Sequence, residues 1–496
     1  MSSVRSHEDV RVKVAVFLRD VLKEIIGKKS ASDPHSETML KLLDSPEITV
    51  LMPQEISVDG GRKRADMALG TTIVFEFKTS ESEFDEAEKA AKEKYWSIVS
   101  KAKFFITTNW DKWRIYNVTS TGLSLVEEGD LKKATEFLKT QVIPQVKEIK
   151  IPPLPKNVEA LYKLDHEELL SNLKKAFSYV KGDDRIKPLY EAYKSIMSAL
   201  YGEAGEEFFE DLFIRHTYMH MAVLASLAAA LGKTGRAEDV CSGSLNNIDI
   251  ALPYLNWWKV ALGNKDAEKP IKEILEKIVT RSNLVDWSLE VAEDVFRNLY
   301  EFLVEPSVRR KLGEYYTPEW LVEMMLSEFD IKDKVVLDPF CGSGTFLVKA
   351  FHIKIKAGED PDRALNEVVG FDINPLAIAV ARAELVIEYR RKQGKEPENP
   401  PHIYHVDTFA AWFGGDVIPT MGLKELMENA REYLQTLINF KQIKAGSALE
   451  ILRNLEKNLT YAIRFSYHEC GLDAECLEGK LKEKNWELLE EIFGGR

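Results

Sequence analysis

The chain is 496 residues long, with 67 lysines and arginines against 80 aspartates and glutamates, a formal charge of −13. With 45% hydrophobic and 30% charged residues it excludes a disordered polypeptide and suits three globular domains, and its acidity leaves nucleic-acid contact to local basic patches. Four cysteines (Cys241, Cys341, Cys470 and Cys476), an amino terminus with no apolar signal core and no apolar run longer than Met219 to Leu231 exclude a disulfide framework and a membrane span, so a cytoplasmic protein is expected.

Glu55 to Gly61 followed by Arg64 to Leu69 predicts a hairpin with a glycine turn. Thr71 to Lys78 then reads as a strand in which Glu76 and Lys78, two apart, share a face. Asp66 on the preceding strand lies beside them. Two carboxylates, Asp66 and Glu76, suit a divalent metal such as Mg2+, and Lys78 can orient or deprotonate water for phosphodiester hydrolysis. The same Asp…Glu-x-Lys pattern also occurs on ordinary solvated strands. Arg62-Lys63-Arg64 is equally a basic patch beside Asp66 or a solvated turn. A helix with Phe84, Ala87, Ala91, Tyr95 and Ile98 on one stripe follows, then strands over Lys103 to Asn109 and Trp113 to Tyr116.

Ile151-Pro152-Pro153-Leu154-Pro155 reads as a stiff linker, and Val158 to Leu303 as mostly helical. Phe208 to Leu231 is apolar almost all round and predicts a buried helix. His216 and His220 are spaced to share a metal, but without a glutamate after the first they read as buried, hydrogen-bonded histidines.

The densest information lies in Val335-Val336-Leu337-Asp338-Pro339-Phe340-Cys341-Gly342-Ser343-Gly344-Thr345-Phe346, a strand, a glycine turn and the start of a helix. Glycines at 342 and 344 allow close approach of backbone to a ligand. Val368 to Pro375 and His402 to Asp407 are further β-rich runs that end in an acid. Asp338, Asp372 and Asp407 therefore fall at the tips of three successive strands on one sheet edge. Asp372 suits two ribose hydroxyls and Asp407 an exocyclic amine, so the implied ligand is an adenosine derivative. Asn374 is placed to cap a helix that begins at Pro375, and Cys341 reads as a small buried residue.

With Gly313-Glu314-Tyr315-Tyr316-Thr317-Pro318 just upstream, this order of motifs resembles the N6-adenine DNA methyltransferases of restriction–modification systems, over roughly residues 306–410. The resemblance implies S-adenosylmethionine as cofactor. Tyr316, Thr317 and Pro318 would border its methionine end. Asp338 with the backbone at Phe340 and Gly342 would hold its amino-acid part, beside Gly344, and Thr345 would cap the following helix. Asp372 would bind the ribose, Ile373 would pack on the adenine, and Asp407 would reach its amine. The family's catalytic Asn/Asp-Pro-Pro-aromatic string does not follow the third strand; Asn399-Pro400-Pro401-His402 precedes it and reads as a loop. An N-terminal portion of a longer enzyme is the expectation, or a chain completed by a separate target-recognition or catalytic subunit.

The amino-terminal pattern resembles the PD-(D/E)XK nuclease domain of type I and type IIG restriction enzymes over roughly residues 1–120, with Glu24 as a further candidate. The glutamine those relatives often place before the helix tyrosine is absent. The expected fold is α/β: a restriction-endonuclease-like domain over 1–150, an all-helical connector over 151–305, and an incomplete Rossmann-like methyltransferase sheet over 306–496 with a helical extension after 410. The implied function is adenine-N6 methylation of double-stranded DNA fused to a metal-dependent endonuclease. Two alternatives stand beside it: a cofactor-binding sensor or scaffold of a defence nuclease without methyl transfer, and a methyltransferase with a decayed nuclease.

Overall fold

The computed structural model describes residues 6–28, 33–45, 52, 54–58, 63–94, 96–142, 149–202, 204–245, 248, 250–289, 294–303, 317–406 and 408. The tail after 410, Cys470, Cys476, Arg62, Tyr95, Tyr316 and Asp407 lie outside them. The architecture is mixed α/β and divides into two compact units, residues 1–164 with 280–289, and residues 165–279 with 290–496.

Among the described residues the first unit holds one six-stranded sheet in chain order, β1 (Gln54–Val58), β2 (Lys63–Leu69), β3 (Ile73–Phe77), β4 (Phe104–Thr108), β5 (Lys112–Thr119) and β6 (Gly122–Asp130). β1 and β2 form the predicted antiparallel hairpin. β3 and β4 are parallel, as a strand pair joined by a helical crossover must be. That crossover is two helices, Phe84–Glu93 and Trp96–Val99, where one was predicted; the first buries Phe84, Ala87 and Ala91. The helix His7–Lys28 buries Val10, Val14, Leu18, Leu22 and Ile26, a stripe four residues apart.

The proline-rich segment is not a free linker. Ile151 is fully buried and forms a parallel bridge to Val285, its N–H donating to the Leu284 carbonyl at 2.8 Å. Its prolines lack donors, so Ile151 carries the backbone bond, and Pro155 starts the helix Pro155–Lys163 at the position where a missing N–H is harmless.

The second unit is built on β7 (Val336–Asp338), β8 (Val368–Asp372) and β9 (His402–His405), parallel and in chain order. The helices Thr345–Lys356 and Pro375–Gln393 form the crossovers. Leu347, Phe351, Val368, Ile378, Leu385 and Ile403 fill the core between helices and sheet. In the helix Pro375–Gln393 every residue from Pro375 to Tyr389 is buried. The cause is a second cover: the long helix Glu206–Ala230, itself buried along most of its length, packs against it.

His216 and His220 on that long helix are buried and bonded as single residues. The Tyr193 hydroxyl meets His216 Nδ1 at 3.1 Å, and the Leu252 N–H donates to His220 Nε2 at 2.8 Å. Burial pushes both imidazoles down from 6.5 to about 3, so they are neutral in the fold. Because the unfolded chain takes up these protons first, the stability they contribute is complete above 6.5 and is lost as pH falls from there toward 3. In denaturant unfolding between about pH 6 and pH 4, His220→Gln keeps an acceptor for Leu252 and is expected to flatten the pH dependence by up to ~1.4 kcal/mol per pH unit. An unchanged slope would contradict a neutral buried His220.

Candidate functional site

The parallel register sets Asp338 at the tip of β7 and Asp372 at the tip of the adjoining β8. Between them the chain turns through Gly342 (φ +54°) and Gly344 (φ +100°), conformations that glycine adopts without strain. Asp338 Oδ1 accepts from the Phe340 N–H at 3.0 Å. Asp372 accepts from two loops, Oδ2 from the Gly342 N–H at 2.9 Å and Oδ1 from the Asn374 N–H at 2.8 Å. Asn374 then caps Pro375–Gln393, its Oδ1 accepting from the Leu376 N–H at 3.0 Å, as predicted.

Burial raises both acids above the ordinary carboxylate range, and the nearby Asp372 charge adds to the effect at Asp338. Each Asp372 oxygen retains lone-pair capacity beyond its backbone bond, so hydroxyl donors of a ligand would stabilise the charged form. Phe340 and Ile373, next to these acids, are large apolar side chains left 58% and 42% exposed, a wall suited to a flat ring.

The two glycines differ in what they face. A Cβ on Gly342 would meet nothing within 4 Å, which leaves that side of the turn open to a ligand. A Cβ on Gly344 would stand 2.9 Å from Ala381 Cβ and 3.2 Å from its Cα, so Gly344 admits the neighbouring helix. In the backbone expected to hold the cofactor's amino-acid part, the N–H groups of Phe340 and Gly342 donate to Asp338 and Asp372. Thr345 does not cap its helix. Gly344 occupies the cap position without a side-chain bond, and the Thr345 hydroxyl donates to Asp294 at 2.9 Å. Cys341 is buried, its thiol pushed well up by burial, and is no nucleophile.

Thr317 and Pro318 precede the helix Glu319–Ser327. Asn399-Pro400-Pro401 is irregular backbone that leads directly into β9, with the Ile403 N–H donating to the Pro401 carbonyl at 2.7 Å. Asp294 had no signal in sequence, since it lies 49 residues before Ser343, to which it is bonded.

In the first unit, the β2–β3 register carries Asp66 to the position across from Glu76, one step beyond the Met67–Phe75 pair. Asp66 Oδ2 accepts from the Phe77 N–H at 2.6 Å. Glu76 is buried, and Lys78 Nζ lies 3.1 Å from its Oε1, so the two share a face as predicted. Two carboxylates suit a magnesium ion in their donor chemistry. Among the described residues no group of three or more His, Cys, Asp or Glu side chains is gathered to hold a metal. Glu24 pairs with Lys139 at 2.8 Å. The polar row continues past what the motif showed, through buried Thr107 opposite Glu76 and then Arg114, which is bonded to Asp85 at 2.7 Å and Glu128 at 3.2 Å.

The family described as N-6 DNA Methylase matches residues 291–411. The methylase subunit of the type I restriction enzyme MjaIX from Methanocaldococcus jannaschii is 34% identical over 100 residues, which is 19% of this chain and 17% of that protein. The MjaVIII methylase subunit of the same organism is 25% identical over 264 residues, 48% of this chain and 43% of that protein. The solved DrdV–DNA complex overlaps 84% of this chain and 42% of that one at 16% identity and a TM-score of 0.42, a likeness too slight to argue from. The chain spans less than half the length of the relatives it matches.

Gly344→Ala combines a left-handed conformation with a clash against Ala381, and should lower unfolding free energy by about 1–3 kcal/mol. Denaturant titration reads this directly; wild-type stability would contradict the close packing at Gly344.

Proposed function

We propose, from a chain that carries an N-6 DNA methylase domain of the restriction–modification kind over residues 291–411, that the tips of β7 and β8 bind S-adenosylmethionine for methylation of adenine N6 in double-stranded DNA. The observation that carries this reading is the pair of acids, Asp338 and Asp372, at adjoining parallel strand ends around a turn whose Gly342 side is open. The cofactor supplies an electrophilic methyl group when bound.

The chain's own residues bind and orient. Asp372 accepts from the ribose hydroxyls, and Asp338 with the turn at Phe340 and Gly342 holds the amino-acid end. Thr317 and Pro318, with Tyr316, border the methionine side, and Ile373 covers the adenine, whose amine Asp407 accepts. Gly344 and Thr345 shape the turn behind them. Methyl transfer of this kind needs little acid–base work, so positioning and extrusion of the target base dominate.

The domain assignment follows the same reading: nuclease-like over 1–150, helical connector over 151–305, methyltransferase over 306–496. In the nuclease, Asp66 and Glu76 would hold Mg2+ while Lys78 orients water. Support is the shared face of Glu76 and Lys78 and the cross-strand position of Asp66. Double-stranded DNA is the proposed substrate, with a separate target-recognition or catalytic subunit as a further partner.

Titration calorimetry with S-adenosylhomocysteine tests the cofactor site. Wild type should bind, and Asp372→Ala should weaken binding at least about tenfold by removing an acceptor of charge-assisted bonds. A wild type that gives no heat, or a variant that binds equally well, rejects the assignment. For the nuclease, magnesium-dependent nicking of plasmid DNA should disappear in Asp66→Ala and Lys78→Ala. Nicking that survives both substitutions would remove these residues from the active site.

A further inference from the structure

The ten residues from Asp294 to Leu303 stand outside every motif of the cofactor site, yet they are bonded to three of its segments. Asp294 is buried, and its Oδ2 accepts from the hydroxyls of both Ser343 and Thr345, one on each side of Gly344. The next residue, Val295, donates its N–H to Glu384 of the helix Pro375–Gln393. Along the short helix Arg297–Leu303, the Tyr300 hydroxyl accepts from Asn374 Nδ2 at 2.7 Å. Asn374 therefore has its amide fixed at both ends, since its Oδ1 caps the following helix. Arg297 Nη1 reaches the Thr317 carbonyl at 3.4 Å.

We propose that Asp294 and Tyr300, with Arg297, are positioning residues that preset the cofactor pocket, holding the glycine turn from one side and the Asn374 loop from the other. The inference rests on the reading that S-adenosylmethionine binds at the tips of β7 and β8. The geometry explains why a brace is needed. Ser343 and Thr345 flank a glycine in a left-handed conformation, and such a turn keeps one shape only when its neighbours over-determine it. Asp372 is bonded to both loops, through Gly342 and Asn374, so a displacement of either would move the carboxylate that meets the ribose. The Asp294 carboxyl is pushed up by burial, while the two hydroxyls, neutral donors that suit a fixed acceptor, and the Arg297 charge oppose that rise.

A purely structural role would lower stability without changing ligand affinity below the melting temperature, so both are measured. S-adenosylhomocysteine is titrated into the full chain by calorimetry, with thermal unfolding recorded for each variant. Asp294→Ala should bind at least about tenfold more weakly. Asp294→Asn, whose side-chain oxygen can accept the same two hydroxyls, should stay within about threefold of wild type. Tyr300→Phe, which removes the acceptor of Asn374, should weaken binding by about fivefold. Ser343→Ala added to Asp294→Ala should weaken it no further, because the two share one bond.

Wild-type affinity in Asp294→Ala, equal losses in the Ala and Asn variants, or additive losses in the double variant would each overturn the brace while leaving the cofactor site in place. If Asp294→Ala fails to fold, Ser343→Ala removes one bond from the loop side and is read in the same way. A wild type that binds no ligand overturns the cofactor reading and the brace together.

Discussion

The second unit's sheet edge depends on the carboxylate of Asp372. It accepts one backbone N–H from the turn after β7 and one from the turn after β8, and its own carbonyl accepts the Val406 N–H beyond β9. One residue thus ties the tips of three parallel strands. The arrangement follows from the parallel register, which brings Asp338 beside Gly370 and Asp372 beside His405 and so gathers every carboxyl end on one edge. Two helices begin at that edge, at Thr345 and Pro375, the second capped by the Asn374 side chain. Burial raises the carboxyl, and the backbone N–H bonds oppose that rise.

Close packing behind the edge makes this geometry hard to vary. Gly344 lies against Ala381, and a side chain on Gly370 would meet Leu347 at 2.6 Å and Cys341 at 2.9 Å. The crossover helix Pro375–Gln393 is buried on all sides, with the long helix Glu206–Ala230 as its second cover. The helical middle of the chain is thus part of the environment of the site, because it supplies the surface against which that crossover rests.

What was legible in the sequence was local. The glycine turn, the Asn374 cap, the Glu76 and Lys78 pair and the buried long helix each follow from neighbours a few residues apart, where backbone geometry and periodicity act directly. The readings that changed depend on distant partners. Gly344 was read as letting backbone approach a ligand because it lacks a Cβ, while the helix which that missing Cβ admits lies at Ala381. Thr345 was expected to cap its helix, but Asp294, 51 residues earlier, takes its hydroxyl. The proline-rich segment read as a linker because composition cannot show that Ile151 pairs with Val285. The strand β6 was not anticipated, since its mostly polar, weakly alternating sequence suits an exposed edge of the sheet.

The most direct test of the central claim is a crystal structure of the chain with S-adenosylhomocysteine. Ribose hydroxyls are expected within hydrogen-bond reach of Asp372, with the ligand's amino-acid end at the turn formed by Asp338 and Gly342. Ligand density elsewhere on the molecule, or a ribose remote from Asp372 with the strand tips as they are here, would contradict it.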